Sequence, residues 1–274
     1  MKKFWIIVKD NLINSIRSKK AIIFLALYFI IFWLIMYVFI EIQEYFDAFT
    51  KHGVNNPEIK RNIKWFVRLM LNSTNNELIN HLMSVPFFNI GLFILTLSGT
   101  PLLILIAKYD VLNQEIYDGT IRFFLFRVSR MKIYFAKYLS SMLEFAILTF
   151  FALIVSVIWA VIALPRLNFL HSFYAGIKFW LVSQLFLSVF VSLTLMISVL
   201  IRKPFISLLL SFLGLLIFIL LTIWFNYISP LNSLYLKGLF YGVSLELLIS
   251  AIGYITFSAI FLSIGAFVFQ RKNL

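Results

Sequence analysis

From Ala21 to Ile40 the chain runs for 20 residues without a charged side chain. A helix that crosses the ~30 Å hydrocarbon layer of a bilayer needs about 20 mostly apolar residues. Lipid offers no hydrogen bonds to a bare backbone, so a run of this kind folds as a helix. Phe205–Phe225 and Leu247–Phe269 meet the same condition. Three further stretches read the same way: Phe87–Ala107, which holds Gly91, Gly99 and Pro101, then Met142–Leu164 and Ile177–Ile201. The expected fold is an all-α membrane protein with six transmembrane helices, forming one transmembrane domain over residues 1–274.

Composition agrees. Hydrophobic residues make up 62% of the chain and charged residues 13%, whereas a soluble domain carries roughly 25% charged residues. Too few polar side chains exist to cover a water-facing surface. The chain has no cysteine, which excludes disulfides, thiolate nucleophiles and cysteine-based metal sites.

The basic residues show a side. With six spans both termini fall on one side, and that side collects 16 of the 24 Lys and Arg. Lys and Arg are enriched in cytoplasmic loops, so both termini are expected in the cytoplasm. The same bias accounts for the net charge of +13. No nucleic-acid partner is expected, because no segment outside the spans is large enough to build a folded basic face. The Ile-, Lys-, Asn- and Phe-rich usage points to a prokaryotic cytoplasmic membrane.

Residues 1–20 are expected to form an interfacial amphipathic helix, with membrane lipid as its partner. Phe4, Trp5, Val8, Leu12 and Ile16 recur on one face while lysines and Arg17 occupy the remainder. The alternative is a plain basic stretch that orients the first span. The following apolar run is too long for a cleaved signal, and no small-residue cleavage site follows it. Residues 41–85 form the one sizeable outside segment, with a turn at Asn55-Asn56-Pro57 and helical periodicity over Ile59–Leu71. Residues 226–246 read as an outer loop lying along or dipping into the membrane.

Reactive constellations are missing. His52, His81 and His171 fall in expected outside loops with no metal-ligand spacing, so neither a metal site nor a catalytic residue is assigned. No Gly-x-Ser-x-Gly elbow and no phosphate-binding loop occurs. Glu144, just inside the third span, is the sole acid at a depth where ion relays work, and it reads as a snorkelling or capping residue. Gln184, Ser188 and Ser192 recur every four residues and share a helix face. Ser207 with Ser211, and Ala259 with Ser263, do the same. Small residues at this spacing let helices approach closely, so this is a packing face or a substrate-contacting face, and a dimer seam would serve as both.

The second inside segment, residues 108–141, is the largest on the basic side. Glu115 and Asp118 precede Gly119-Thr120. Gly119 permits a turn that a side chain would hinder, and Thr120 is placed to cap a following helix. Ile121–Phe126 is apolar apart from Arg122, and Arg127, Ser129, Arg130, Lys132 and Lys137 follow. By composition this is either a basic loop or a docking element.

The order of those residues resembles the signature of permeases of ABC-2-type ABC transporters. In that family an acid-rich turn and Gly-Thr-Leu lead into an apolar helix, followed by Ser-Arg and by Gly-Lys at the next span. Here Glu115, Asp118, Gly119, Thr120 and Ile121 take the first positions, Ser129-Arg130 the next, and Ala136-Lys137 the last. The chain departs from the pattern in having Arg127 where proline is common and Ala136 in place of glycine. The resemblance implies a transmembrane subunit of an ATP-driven exporter. It implies a second permease copy or homologue, and an ABC ATPase subunit that carries ATP and Mg, with no cofactor on this chain. It also implies that Glu115–Arg130 forms a cytoplasmic coupling helix docking into that ATPase. A membrane scaffold or force-transmitting subunit, binding an extracytoplasmic partner through residues 41–85, is the competing expectation.

Overall fold

A computed structural model describes residues 2–51, 61, 65, 95–164, 169–224 and 245–272. Residues 226–244 of the expected outer loop and most of the outside segment beyond residue 51 lie outside the described residues, as do the first eight positions of the second expected span; the loop's last two residues, 245 and 246, are helical. Among the described residues the chain is helical, with no strand.

Helix α1 (Lys2–Arg17) ends where the Ser18 N–H and hydroxyl both donate to the Ser15 carbonyl, at 3.2 and 2.9 Å. Helix α2 (Lys19–Lys51) starts immediately after that bend and contains the first expected span. It stays helical for 11 residues beyond Ile40, into what the sequence assigned to the outside segment. A π-helical turn at Leu95–Gly99 leads into α3 (Thr100–Lys108), with Pro101 in its first turn, where a missing N–H costs nothing. Two short helices follow, α4 (Asn113–Tyr117) and α5 (Ile121–Leu125). The remaining four helices are long: α6 (Arg130–Ala163), α7 (Phe169–Leu200), α8 (Pro204–Trp224) and α9 (Leu245–Arg271). His171 therefore lies in the first turn of α7 and not in a loop.

Helix α6 begins 12 residues before the expected third span. Arg130, Lys132 and Lys137 made that stretch read as loop. It is helical because protein, not lipid, covers it: Ile133, Tyr134, Ala136, Lys137, Ser140 and Ser141 are all buried. With 34 residues α6 is roughly 50 Å long, so its first turns extend past a ~30 Å hydrocarbon layer.

Helix α7 is the axis of the bundle and packs on α3, α6, α8 and α9. Phe186 meets Phe190 edge-on at 5.0 Å and Tyr254 of α9 at 5.6 Å, and Phe190 meets Phe218 of α8 at 6.3 Å. Edge-to-face packing of this kind suits the charge distribution of aromatic rings. A second cluster joins α2 to α6 through Tyr28, Phe32, Met36, Leu153 and Val157, with Trp33 stacked on Trp159 at 5.8 Å and 8°. The outward faces of α2, α8 and α9 are lined with exposed Ile, Leu and Phe. Such faces suit lipid or a packed partner and not water.

Helix α1 packs on α6 and α2. Val8 is buried there, while Trp5 and Ile16 remain exposed. One edge of the apolar stripe thus meets the bundle and the other is free.

Candidate coupling site

Lys108, Arg130, Lys137 and Lys272 stand where α1, α3, α4, α6, α7 and α9 are joined at one end of the bundle. Each local break in the helices there has an identifiable fastening. Past Lys108 the backbone turns, and the Leu112 N–H donates to the Ser198 hydroxyl of α7 at 3.0 Å. The Ser207 hydroxyl of α8 donates to the Tyr109 carbonyl at 2.8 Å. Under the segment, Leu112, Ile121, Tyr134, Leu195, Val199, Ala266 and Phe269 form a closed apolar cluster.

Helix α4 ends at Asp118, and Gly119 follows at φ +72° with open space around the position of a side chain. The glycine is required by its backbone angle, since a Cβ in the left-handed region meets its own chain. The break makes two one-turn helices out of the single coupling helix expected from sequence. Thr120 takes the capping position of α5, but its hydroxyl turns back to the Glu115 carbonyl at 3.3 Å and makes no cap bond. Ser129 likewise precedes α6 without a side-chain cap.

The signature residues divide into two sets. Glu115, Arg130 and Lys137 face the protein. Lys137 Nζ donates to Glu115 Oε1 at 2.5 Å, joining α6 to α4. Arg130 donates from Nη1 to the carbonyls of Gln270 at 2.8 Å, Lys272 at 2.7 Å and Phe269 at 3.4 Å. It thereby satisfies the orphan carbonyls at the end of α9 and neutralises the negative end of that helix dipole. Asp118, Thr120, Arg122, Arg127 and Ser129 face outward. Beside them stand three exposed aromatics: Tyr117 at 67%, Phe123 at 73% and Phe126 at 87% exposure. The α4–α5 segment is thus fastened on its inner side and presents an arginine- and aromatic-rich surface on its outer side. Arg, Tyr and Phe are the residue types that anchor protein interfaces.

Two fastenings were not foreseen. Glu144 does not snorkel. It forms an ion pair with Lys108 at the end of α3, and Lys108 Nζ also donates to the Ser15 hydroxyl of α1 at 2.7 Å. Lys108 is only 6% exposed. A basic residue closing one span and an acid opening the next were the available signal. The other is Lys272, whose Nζ donates to the Val199 carbonyl of α7. Burial, followed by the charge of Arg202, pushes the Lys272 ammonium pKa down.

Gln184, Ser188 and Ser192 lie against neighbouring helices of the same chain. Gln184 Nε2 donates to Thr149 Oγ1 of α6 at 3.3 Å, and Trp180 Nε1 donates to the same oxygen at 3.1 Å. The Ser258 hydroxyl of α9 donates to the Ser188 carbonyl at 3.4 Å. Ser192 is fully buried and returns its hydroxyl to the Val189 carbonyl at 2.8 Å. That return is how a hydroxyl is satisfied inside a helix bundle in lipid. Ser207 and Ser211 are buried too, whereas Ala259 and Ser263 lie on an exposed face of α9.

Over residues 5–238 the chain matches a family model described as ABC-2 family transporter protein. That span runs from α1 through α8 and includes the whole α4–α5 segment. Comparison with curated proteins finds no match.

Proposed function

Because this chain belongs to the ABC-2 family of transporter proteins, we propose that it is the permease subunit of an ATP-driven exporter and that α4–α5 docks it to a separate ABC ATPase. The family places it as a multi-pass membrane transport subunit. The ATPase, the direction of transport and the pairing of two permeases belong to the proposal.

The observation that carries it is the two-sidedness of α4–α5. Its inner side is tied to α6 by Lys137–Glu115 and to α7 by Leu112–Ser198. Its outer side offers Tyr117, Phe123 and Phe126 with Arg122 and Arg127. An ATPase that closes on ATP must pass its movement to the spans, and a rigid handle with an adhesive face suits that task. Arginines on such a face meet acidic partner residues and fix register. ATP and Mg would be bound by the partner. The resulting movement would shift an equilibrium between inward-open and outward-open bundles. The exposed small residues Ala259 and Ser263 of α9 offer a close-approach face for a second permease. The largely apolar spans favour a hydrophobic or amphiphilic cargo.

The test is recovery of an ATPase subunit with the tagged full-length chain in mild detergent. Recovery is expected with the parent and is expected to fall sharply in Phe123→Ala/Phe126→Ala with membrane insertion intact. Undiminished recovery in that variant would overturn the docking surface.

A further inference from the structure

Three charged residues of α6 stand seven positions apart: Arg130, Lys137 and Glu144. Seven residues are close to two helical turns, with a drift of only about 20°, so the three form a single stripe. Each reaches a different part of the chain. Arg130 holds the carbonyl end of α9 at 2.7–3.4 Å. Lys137 holds Glu115 of α4 at 2.5 Å. Glu144 holds Lys108 of α3, which in turn holds Ser15 of α1 at 2.7 Å. Lys272, next to the carbonyls bound by Arg130, extends that first contact to Val199 of α7.

These are not solvated surface charges. Lys108 and Lys137 are buried, and Arg130 and Glu144 are largely covered. Apolar helix surfaces slide over one another at little cost in register. Buried, charge-assisted hydrogen bonds hold only one geometry, because a displaced partner leaves a charge uncompensated. The ladder therefore supplies what the apolar contacts of the bundle lack at this end, a fixed register between α4–α5 and the spans.

We propose that Arg130, Lys137 and Glu144 are positioning residues, a seven-residue ladder that makes α4–α5, α6, α9, α3 and α1 move as one body. Displacement of the docking segment is then delivered to both the second span and the last. The proposal rests on the docking reading for the origin of the displacement, but the rigidity it claims is a property of this chain alone.

The chain contains no cysteine, so two introduced cysteines are its only labels. Phe126→Cys on the segment after α5 and Ile252→Cys on α9 are both exposed. The full chain, spin-labelled at these positions in lipid nanodiscs, is measured by pulsed electron paramagnetic resonance. The parent is expected to give one narrow distance distribution. Lys137→Gln and Arg130→Gln are each expected to broaden it, and Glu115→Lys with Lys137→Glu to restore it. A distribution that stays narrow in both single variants, or stays broad in the helical, monodisperse charge swap, overturns the ladder. If Lys137→Gln does not fold, Arg130→Gln, which strands no buried lysine, decides alone. ATPase recovery is read in parallel on the unlabelled chain, which keeps Phe126. Its absence there overturns the docking reading and leaves the distance result standing by itself.

Discussion

The Tyr134 hydroxyl fills the space that a side chain at Gly265 would need, and the Met196 Cα lies 3.1 Å from that same point. Helices α6, α7 and α9 thus converge on one missing side chain. Gly265→Ala must move a phenol or a backbone, a displacement that costs about 1–3 kcal/mol in a packed core.

The hydroxyl can be removed separately. It is buried and makes no hydrogen bond among the described residues. Tyr134→Phe is expected to be nearly neutral, within about 0.5 kcal/mol, because no partner is left unsatisfied. In the double variant part of the loss from Gly265→Ala should be recovered, the Tyr134 ring carbon at 3.0 Å and the Met196 Cα at 3.1 Å still being close. Thermal unfolding of the four proteins in one detergent gives the cycle. Simple additivity would show that the two positions do not meet.

The Lys108–Glu144 pair makes an asymmetric prediction. Glu144→Gln leaves a buried lysine uncompensated and is expected to cost about 3–5 kcal/mol. Replacing both partners, as Lys108→Met with Glu144→Leu, should cost much less. Denaturant unfolding compares them, and equal losses in both variants would refute the buried pair. The double variant should also loosen α1, because Lys108→Met removes the Lys108–Ser15 bond. Faster amide exchange over residues 2–17 would report this.

Gly119 is a backbone requirement. With φ at +72° and open space about it, Gly119→Ala is expected to cost about 1–2 kcal/mol from the left-handed conformation alone. Gly119→Asn should be milder, since Asn tolerates that region. Amide exchange over residues 117–125 should rank the three proteins as Gly, Asn, Ala in order of increasing rate.

The fourth-span polar face separates packing from contact with cargo. Ser192 is fully buried and bonded to its own helix. Ser192→Ala is expected to leave both transport and stability unchanged, whereas Ser192→Leu should cost about 1–3 kcal/mol by overpacking. Loss of transport in a stable Ser192→Ala protein would assign that face to the cargo.

The uncharged runs made the membrane class legible, because twenty apolar residues have few alternatives. The boundaries at Phe205 and Phe269 were equally clear, since charge and apolar run meet there abruptly. The start of α6 was not legible. Lys137 and Arg130 look like loop residues until their partners, Glu115 and the end of α9, are brought together by folding. Residue order singled out the segment proposed to dock, but it could not tell the inward residues from the outward ones. Both sets are short, polar and interleaved, and only the burial of Ile121 fixes the rotation. The Glu144–Lys108 pair was hidden for the same reason: two charges 36 positions apart become neighbours only in the bundle.

Helices α6 and α8 differ in length, 34 residues against 21. At 1.5 Å per residue α8 is about 31 Å long and just spans a typical hydrocarbon layer. A thicker or thinner bilayer therefore has little purchase on α6, whose overhang is absorbed by protein, and acts on α8. Most of that helix faces away from the protein, and its foot is pinned by Ser207 to the Tyr109 carbonyl, directly after α3. Hydrophobic mismatch costs fractions of a kcal/mol per ångström, and here it would be applied at the root of the handle. The thickness of the host membrane would thus act on the segment proposed to dock the ATPase.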